Sequence, residues 1–387
     1  QQYGEYLMKN KKGAIVAIEP ATGEILSMVS APSYDPNQLA GENFRSNYGN
    51  LLLNEHKPLF NRAIRAQYPP GSTFKTIQAL IAQQENMVDA QTVFACNKNL
   101  VKCHFHPTTD LQSSIQHSCN PYYYRVFRRI VYQNRISKKD SAYTLEEDHD
   151  LHEGFDMWRS YLDQFNLGRK TGVDLVSEIN GLIPKTSLYD QRYGADNWAY
   201  SNIYSLSIGQ GEIGVLPIQL ANVAATIANR GFYYTPHLVR GVGKDKTKRP
   251  EFTIKKQVPI DKKNFDLVIT GMRDAYRNGT VAYFAVVDSL EICGKTGTAQ
   301  NPHGEDHSVF IAFAPKDNPQ IAISVHVENA GFGGAWAAPI AALMIERYLK
   351  GRTSKKMEIT EKIVMGTKFI EEEDRPIFPE DENKIPE

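Results

Sequence analysis

Cysteine is scarce in this sequence, with four residues among 387, too few for the disulfide framework that holds small secreted domains together. Net charge is missing too: 44 Lys and Arg balance 44 Asp and Glu, so nothing points to nucleic acid or to a charged membrane surface as a partner. No uninterrupted apolar run approaches the roughly 18 residues of a membrane span. The chain opens on Gln1 rather than Met, and no signal-type segment precedes its first apolar stretch. It therefore reads as a fragment or processed product, whose missing N-terminal part could carry targeting or anchoring. What remains is a globular composition, 41% hydrophobic and 23% charged, long enough for one large domain or two to three ordinary ones.

The N-terminal stretch predicts a hairpin over Gly13 to Ser30, with "AIVAIE" and "EILSMVS" flanking the turn "PATG". A helix is expected to begin near Ser72, because Phe74, Ile77, Leu80 and Ile81 recur at helical spacing after Pro69-Pro70-Gly71. Asn120-Pro121 reads as an N-cap followed by Pro in the first helical turn. Arg135 to His152 is charged and polar, and reads as a surface insertion. "FDMWRSYLDQFNLG" predicts a helix closed by Gly168. "LPIQLANVAATIANRG" predicts another, and "DKKNFDLVITGMRDAYRNG" a third, capped by Asp261. The C-terminal third changes to strands, "LEICGKTGTAQ", "SVFIAFAP" and "QIAISVHVEN", followed by the helix "APIAALMIERYLKG". Strands at both ends with helices between predict an α+β fold: one antiparallel sheet formed from the two chain ends, flanked by helices, with a mostly helical subdomain inserted over roughly 70–230. The expected domain spans 1–370, and the acidic, Pro-bearing residues 371–387 form a tail.

The stretch "YPPGSTFK" raises the chemical question. Ser72 and Lys75 are three residues apart and share a helix face, near a helix start where backbone N–H groups lack partners. Alone, S-x-x-K is usually a capping serine and a solvated lysine. Downstream, however, lie Ser118-Cys119-Asn120 at a predicted helix start and Lys295-Thr296-Gly297-Thr298 on a predicted strand. S-x-x-K, S-x-N and K-T-G in that order form the signature set of penicillin-interacting serine enzymes. A phosphate loop is rejected for "GKTGT", since Ser289 stands where that motif needs glycine. A Ser-His-Asp triad fits less well, as no G-x-S-x-G surrounds Ser72.

The likeness extends past the motifs. "GAIVAIEPATGEILSMVSAPSYDPN", "LFNRAIRAQYPPGSTFKTIQAL", "TGVDLVSEINGLIP", "SIGQGEIGVLPIQLANVAATIANRG" and "GKTGTAQ" resemble the transpeptidase domain of class B penicillin-binding proteins, and more narrowly their elongation-type (penicillin-binding protein 2) branch. The likeness runs from about Gly13 to Gly351. It implies a penicillin-binding-protein/serine β-lactamase-like fold and a serine D,D-transpeptidase that cross-links peptidoglycan during elongation. It also implies an N-terminal membrane anchor and pedestal outside this chain, at the periplasmic face of the inner membrane. The partners implied are peptidoglycan stem peptides (a D-Ala-D-Ala donor and an amine acceptor), β-lactam antibiotics, a membrane glycosyltransferase and an elongation-complex scaffold, and no nucleic acid. Ser72 would be the nucleophile and Lys75 its base, with Ser118, Asn120 and Lys295 completing the proton path. Thr296 and Thr298 would hold the donor carboxylate, Gly297 would let substrate approach the strand, and the backbone N–H groups of Ser72 and Thr298 would form the oxyanion hole. No cofactor is expected for catalysis.

Cys96, Cys103, His106 and Cys119 lie between the first two motifs, with His104 and His117 nearby. Their spacing is not that of a standard zinc finger, yet three thiols and an imidazole suit tetrahedral zinc. Three readings stand open: a structural zinc through these four residues, a Cys96–Cys103 disulfide, or buried free thiols. Cys293 reads as core packing. Rival functions are a β-lactamase, for which Glu178 and Glu212 are available carboxylates, a non-catalytic β-lactam sensor, and a D,D-carboxypeptidase. "GQGE" at Gly209 to Glu212 reads equally as a structural turn or as part of the active-site rim.

Overall fold

In the computed structural model, strands from both ends of the chain share one antiparallel sheet, as the sequence predicts. The structure describes residues 1–104, 106–133, 147–195, 197–244 and 246–370, with the backbone only at 147–150. Strands β1 (Gly13–Ile18) and β2 (Ile25–Ala31) form the expected hairpin, and β3 (Cys293–Ala299), β4 (His307–Ala314) and β5 (Ile321–Val327) form a meander. The spatial order is β2-β1-β5-β4-β3, so β1 docks on β5 and the chain closes on itself. Register is fixed by apolar pairs: Ile15 faces Val29 on one side and Val325 on the other. Every residue of β5 and all but the first of β4 are buried. Both faces are covered, so these strands read as continuous apolar runs rather than as the usual alternation.

The covering helices are amphipathic elements whose starts and stops follow capping chemistry. The helices used below are α1 (Lys75–Gln84), α2 (Asn120–Val131), α3 (Glu147–Gln164), α4 (Pro217–Ala228), α5 (Phe265–Asn278), α6 (Ala337–Lys350) and α7 (Lys355–Gly366). Helix α4 lies on one face of β5 and β1, and α6 on the other face against β4 and β5. Pro217 starts α4 where no N–H partner is needed, and Gly351, at φ +71°, stops α6.

Three differences from the sequence reading have physical causes. Helix α3 begins inside the run read as a surface insertion. Leu151, Phe155, Trp158 and Leu162 recur every three to four residues and are fully buried, contributing about 1.5–3 kcal/mol each by burial. The polar residues around them hid that stripe, and the rest of the insertion, 134–146, lies outside the described residues. Secondly, α7 was not read from sequence. Its C-terminal carbonyls are met by the buried Lys11, whose Nζ donates to Val364 O at 2.7 Å and Thr367 O at 3.2 Å, a long-range cap invisible to local rules. Thirdly, Asp261 caps nothing with its side chain, and a short 3₁₀ turn at Lys262–Asn264 precedes α5. No helix among the described residues is long and apolar enough to cross a membrane, and the acidic residues 371–387 lie outside them.

Candidate active site

The Ser72 segment owes its shape to three residues that cannot extend regular structure. Pro69 and Pro70 lack an N–H, and Gly71 takes φ +55°, a left-handed conformation that side chains rarely adopt. The chain then makes a 3₁₀ turn over Gly71–Phe74 and continues as α1 from Lys75. Ser72 therefore sits in the tight turn before the α-helix, not in its first α-turn as predicted. That turn packs directly on β3. A Cβ at Gly71 would lie 2.6 Å from Thr298 O, and one at Gly297 would lie 2.8 Å from Pro70 O. The missing side chain of Gly297 thus admits the serine turn itself.

Four motif residues meet through hydrogen bonds. Lys75 Nζ donates to Ser118 O at 2.7 Å, Ser118 Oγ at 3.2 Å and Asn120 Oδ1 at 2.5 Å. Lys295 Nζ donates to the same Ser118 Oγ at 2.9 Å and to Thr296 O at 3.1 Å. Both lysines are fully buried. Burial pushes Lys75 down to about 8, against the opposing pull of the Cys103 and Cys119 sulfurs. Burial, followed by the neighbouring Lys75 charge, pushes Lys295 well below the usual lysine range. Ser118 Oγ has two lone pairs and one proton. With both amines charged it can only accept; once one is neutral, its own proton can pass to that amine. Ser118 itself is held at φ +55° between α2 and the preceding helix Leu111–Gln116.

Asn120 does not cap α2. The N-cap is Cys119, whose Sγ accepts from Tyr122 N at 3.4 Å, because the left-handed Ser118 turns the chain one residue earlier than the sequence suggested. The Asn120 carboxamide is thereby free to face Lys75, and its Nδ2 donates to Lys102 O at 2.7 Å. Ser72, half-buried, has no side-chain hydrogen bond among the described residues. The pleat puts Thr296 and Thr298 on the opposite face of β3 from Lys295. Thr296 Oγ1 shares a 2.5 Å hydrogen bond with Thr280 Oγ1, and Thr298 Oγ1 accepts from Gly333 N at 3.4 Å. Thr280, Lys102 and Tyr123, whose ring lies 5.6 Å from Lys75 Nζ, carried no sequence signal; each reaches the site through tertiary contact.

The cysteine cluster lies directly behind these residues. The ligand-type atoms of Cys96, Cys103, His106 and Cys119 all fall within 4.8 Å of one another, and the four cysteines are free thiols. His106 Nδ1 pairs with Pro107 O at 2.7 Å, which fixes the tautomer and leaves the Nε2 lone pair facing Cys103 Sγ at 3.3 Å. Hydrogen bonds, first from Cys119, draw the Cys103 thiol down to about 4, the charged form that metal ions select. The donor set fits a Cys3His tetrahedron. Cys293 is buried in the core as expected.

The carboxylates weighed for a hydrolytic enzyme are engaged elsewhere. Glu178, buried, accepts from Thr171 N at 2.7 Å, Thr171 Oγ1 at 2.6 Å and Gly172 N at 3.1 Å. Glu212 accepts from Tyr189 Oη at 3.0 Å and Arg192 at 2.6 Å. Both hold loops, and neither is hydrogen-bonded to a residue of the three motifs.

The chain is similar to known proteins over most of its length. The chain is 32% identical over 378 residues to the peptidoglycan D,D-transpeptidase MrdA of Acinetobacter baumannii, covering 89% of this chain and 52% of that protein. It spans about half the length of the first curated relatives it matches. Among solved structures, PBP2 of Pseudomonas aeruginosa in complex with WCK 5153 superposes with a TM-score of 0.74 at 29% identity, covering 92% of this chain and 75% of that one. Penicillin-binding protein A of M. tuberculosis, as a penicillin G acyl-enzyme, gives a TM-score of 0.70 at 29% identity, covering 90% and 78%. Residues 13–346 match the penicillin binding protein transpeptidase domain model, and the chain belongs to that family.

Proposed function

We propose that this chain is a peptidoglycan D,D-transpeptidase working through a Ser72 acyl-enzyme. The observation that carries the reading is Ser118 Oγ held between two buried, charge-averse amines, Lys75 and Lys295. In the first step Lys75 takes the Ser72 hydroxyl proton and Ser72 Oγ bonds to the penultimate D-Ala carbonyl carbon. The C–N bond to the terminal D-Ala then breaks, and that amine leaves with the proton, delivered along Lys75, Ser118 and Lys295. In the second step a stem-peptide amine attacks the ester, gives up a proton along the same path, and Ser72 regains its own. The Ser72 and Thr298 N–H groups face the developing oxyanion, and Lys295, Thr296 and Thr298 supply the charge and hydroxyls for the donor carboxylate. β-Lactams, which imitate the donor's end, form a stable ester at Ser72. We place the enzyme at the periplasmic face of the inner membrane, in an elongation complex containing a glycosyltransferase and a scaffold. A structural zinc on Cys96, Cys103, His106 and Cys119 would pin the segments carrying Cys96, Cys103 and His106 behind Asn120; it takes no part in acyl transfer.

Incubation with a fluorescent penicillin tests the reading. The expected result is one label per chain on the peptide carrying Ser72, persisting for hours. Turnover within seconds would favour a β-lactamase, which the engagement of Glu178 and Glu212 argues against. The acylation rate is also expected to climb about tenfold per pH unit and level off above about pH 8, because only neutral Lys75 accepts a proton. A flat profile between about pH 6 and pH 9 would remove Lys75 from the role of base.

A further inference from the structure

Gln210 lies at the centre of a junction of three backbones. On one side is the serine turn, on another the outer edge of β3, the last strand in the sheet. The third is the Gly209–Gly211 turn, which the sequence reading left between structure and function. Gly209 takes φ +69°, and a Cβ there would sit 2.3 Å from Gly71 O; Gly71 N donates to Gly209 O at 2.9 Å. The turn is therefore locked onto the segment that carries Ser72.

From this turn the buried Gln210 side chain reaches the edge of β3. Its Nε2 donates to Thr298 O at 2.9 Å, and its Oε1 accepts from Gln300 N at 3.4 Å. A residue of a parallel strand bonds its neighbour in this way: its N–H goes to the carbonyl of one residue and its C=O takes the N–H two residues on. The Gln210 carboxamide thus substitutes for one residue of an absent sixth strand. In a strand the N–H and C=O of one residue point to the same side. With Thr298 C=O bound by Gln210, Thr298 N–H is aimed out of the same edge, beside Gly71 and Ser72.

We infer that Gln210 is a positioning residue for acylation: by clamping Thr298 C=O and Gln300 N–H, it fixes the peptide groups on either side of Ala299 and so the direction in which Thr298 N–H points. This rests on the reading of Ser72 as the acylated serine and Thr298 N–H as an oxyanion donor. The clamp acts on a donor and not on bound substrate, so its loss lowers the rate constant of the chemical step and leaves ground-state binding nearly unchanged.

The test uses the full chain and a chromogenic penicillin, with the acylation rate constant and the pre-acylation Kd separated by concentration dependence. Gln210→Met keeps the volume and removes both hydrogen bonds. Gln210→Asn keeps the amide on a stem one methylene shorter, and stands in if the Met variant folds poorly. Both are expected to lower the rate constant about tenfold, with Kd changed less than about threefold. An unchanged rate constant overturns the inference. So does a faster one, which would mean that Gln210 obstructs the edge, and so does a loss expressed wholly in Kd. Failure of the unmodified protein to acylate at Ser72 would instead sink the reading beneath it.

Discussion

Replacing Lys75 by methionine is expected to slow acylation of Ser72 about 10⁴-fold, the scale on which loss of a base from a nucleophile–base pair is felt. Methionine suits the fully buried site because it keeps most of the stem's volume and carries no charge to desolvate. The substitution orphans Ser118 O and Asn120 Oδ1, which Lys75 now satisfies, but it also removes the cost of burying an ammonium. These terms oppose each other, so the melting temperature is expected to move by only a few degrees while the rate collapses. Ser72→Ala supplies the matching control, with no covalent adduct at any concentration. The measurement is the time course of penicillin labelling, read with thermal melts of each variant. A Lys75→Met protein that acylates within tenfold of the parent would show that another group takes the Ser72 proton.

Lys295 invites the same substitution, but its role differs. Its Nζ lies against Ser118 Oγ and its own neighbour's carbonyl, so removing it opens a gap in the proton path. That gap slows proton delivery, in contrast to the loss of Lys75, which removes the acceptor itself.

The frame of the molecule was legible because local rules decide it. β-Formers around Pro20-Ala21-Thr22-Gly23 give the hairpin, Pro217 and Gly351 mark helix ends, and the apolar runs around Phe310 and Ile323 betray a sheet covered on both faces. The site was legible as a set of spaced motifs. What spacing could not carry is direction. Asn120 looks like a cap until the left-handed Ser118 hands that task to Cys119. Thr296 looks like a free strand hydroxyl until Thr280 arrives from beyond α5. Glu178 and Glu212 look like spare carboxylates until the folded loops claim them. Gln210 had only its place between glycines, and its partners at 298 and 300 lie 88 and 90 residues away. The Gln210 bonds are set by how distant layers pack, while the Cys119 cap and the Glu178 bonds are local but depend on backbone directions that residue spacing does not encode.

If the Cys96, Cys103, His106 and Cys119 cluster holds the proposed zinc, stripping it is expected to lower the melting temperature by about 10 °C. A site held at a thousand times its Kd contributes about 4 kcal/mol to stability, and a domain of this size loses roughly 2–4 °C per kcal/mol. The site earns that estimate from its construction: three sulfurs and an oriented imidazole nitrogen within 4.8 Å, on a loop with little regular structure of its own between α1 and α2. Without metal, the hydrogen bond to Cys103, followed by burial, keeps the Cys119 thiol protonated while Cys103 is drawn toward thiolate, so the apo cluster holds unequal groups that a cation would make alike. The effect should reach the active site along one route. Lys102 O, next to Cys103, anchors the Asn120 amide that faces Lys75, so the metal-free protein should acylate more slowly as well as melt earlier. Cys119→Ser should reproduce both losses, with the helix cap retained by the serine hydroxyl. Elemental analysis of gently purified protein, before and after chelation, is the deciding measurement. Absence of stoichiometric zinc, or a chelated protein that melts where the untreated one does, would return the cluster to plain thiols, with Cys119 left as a helix cap and nothing more.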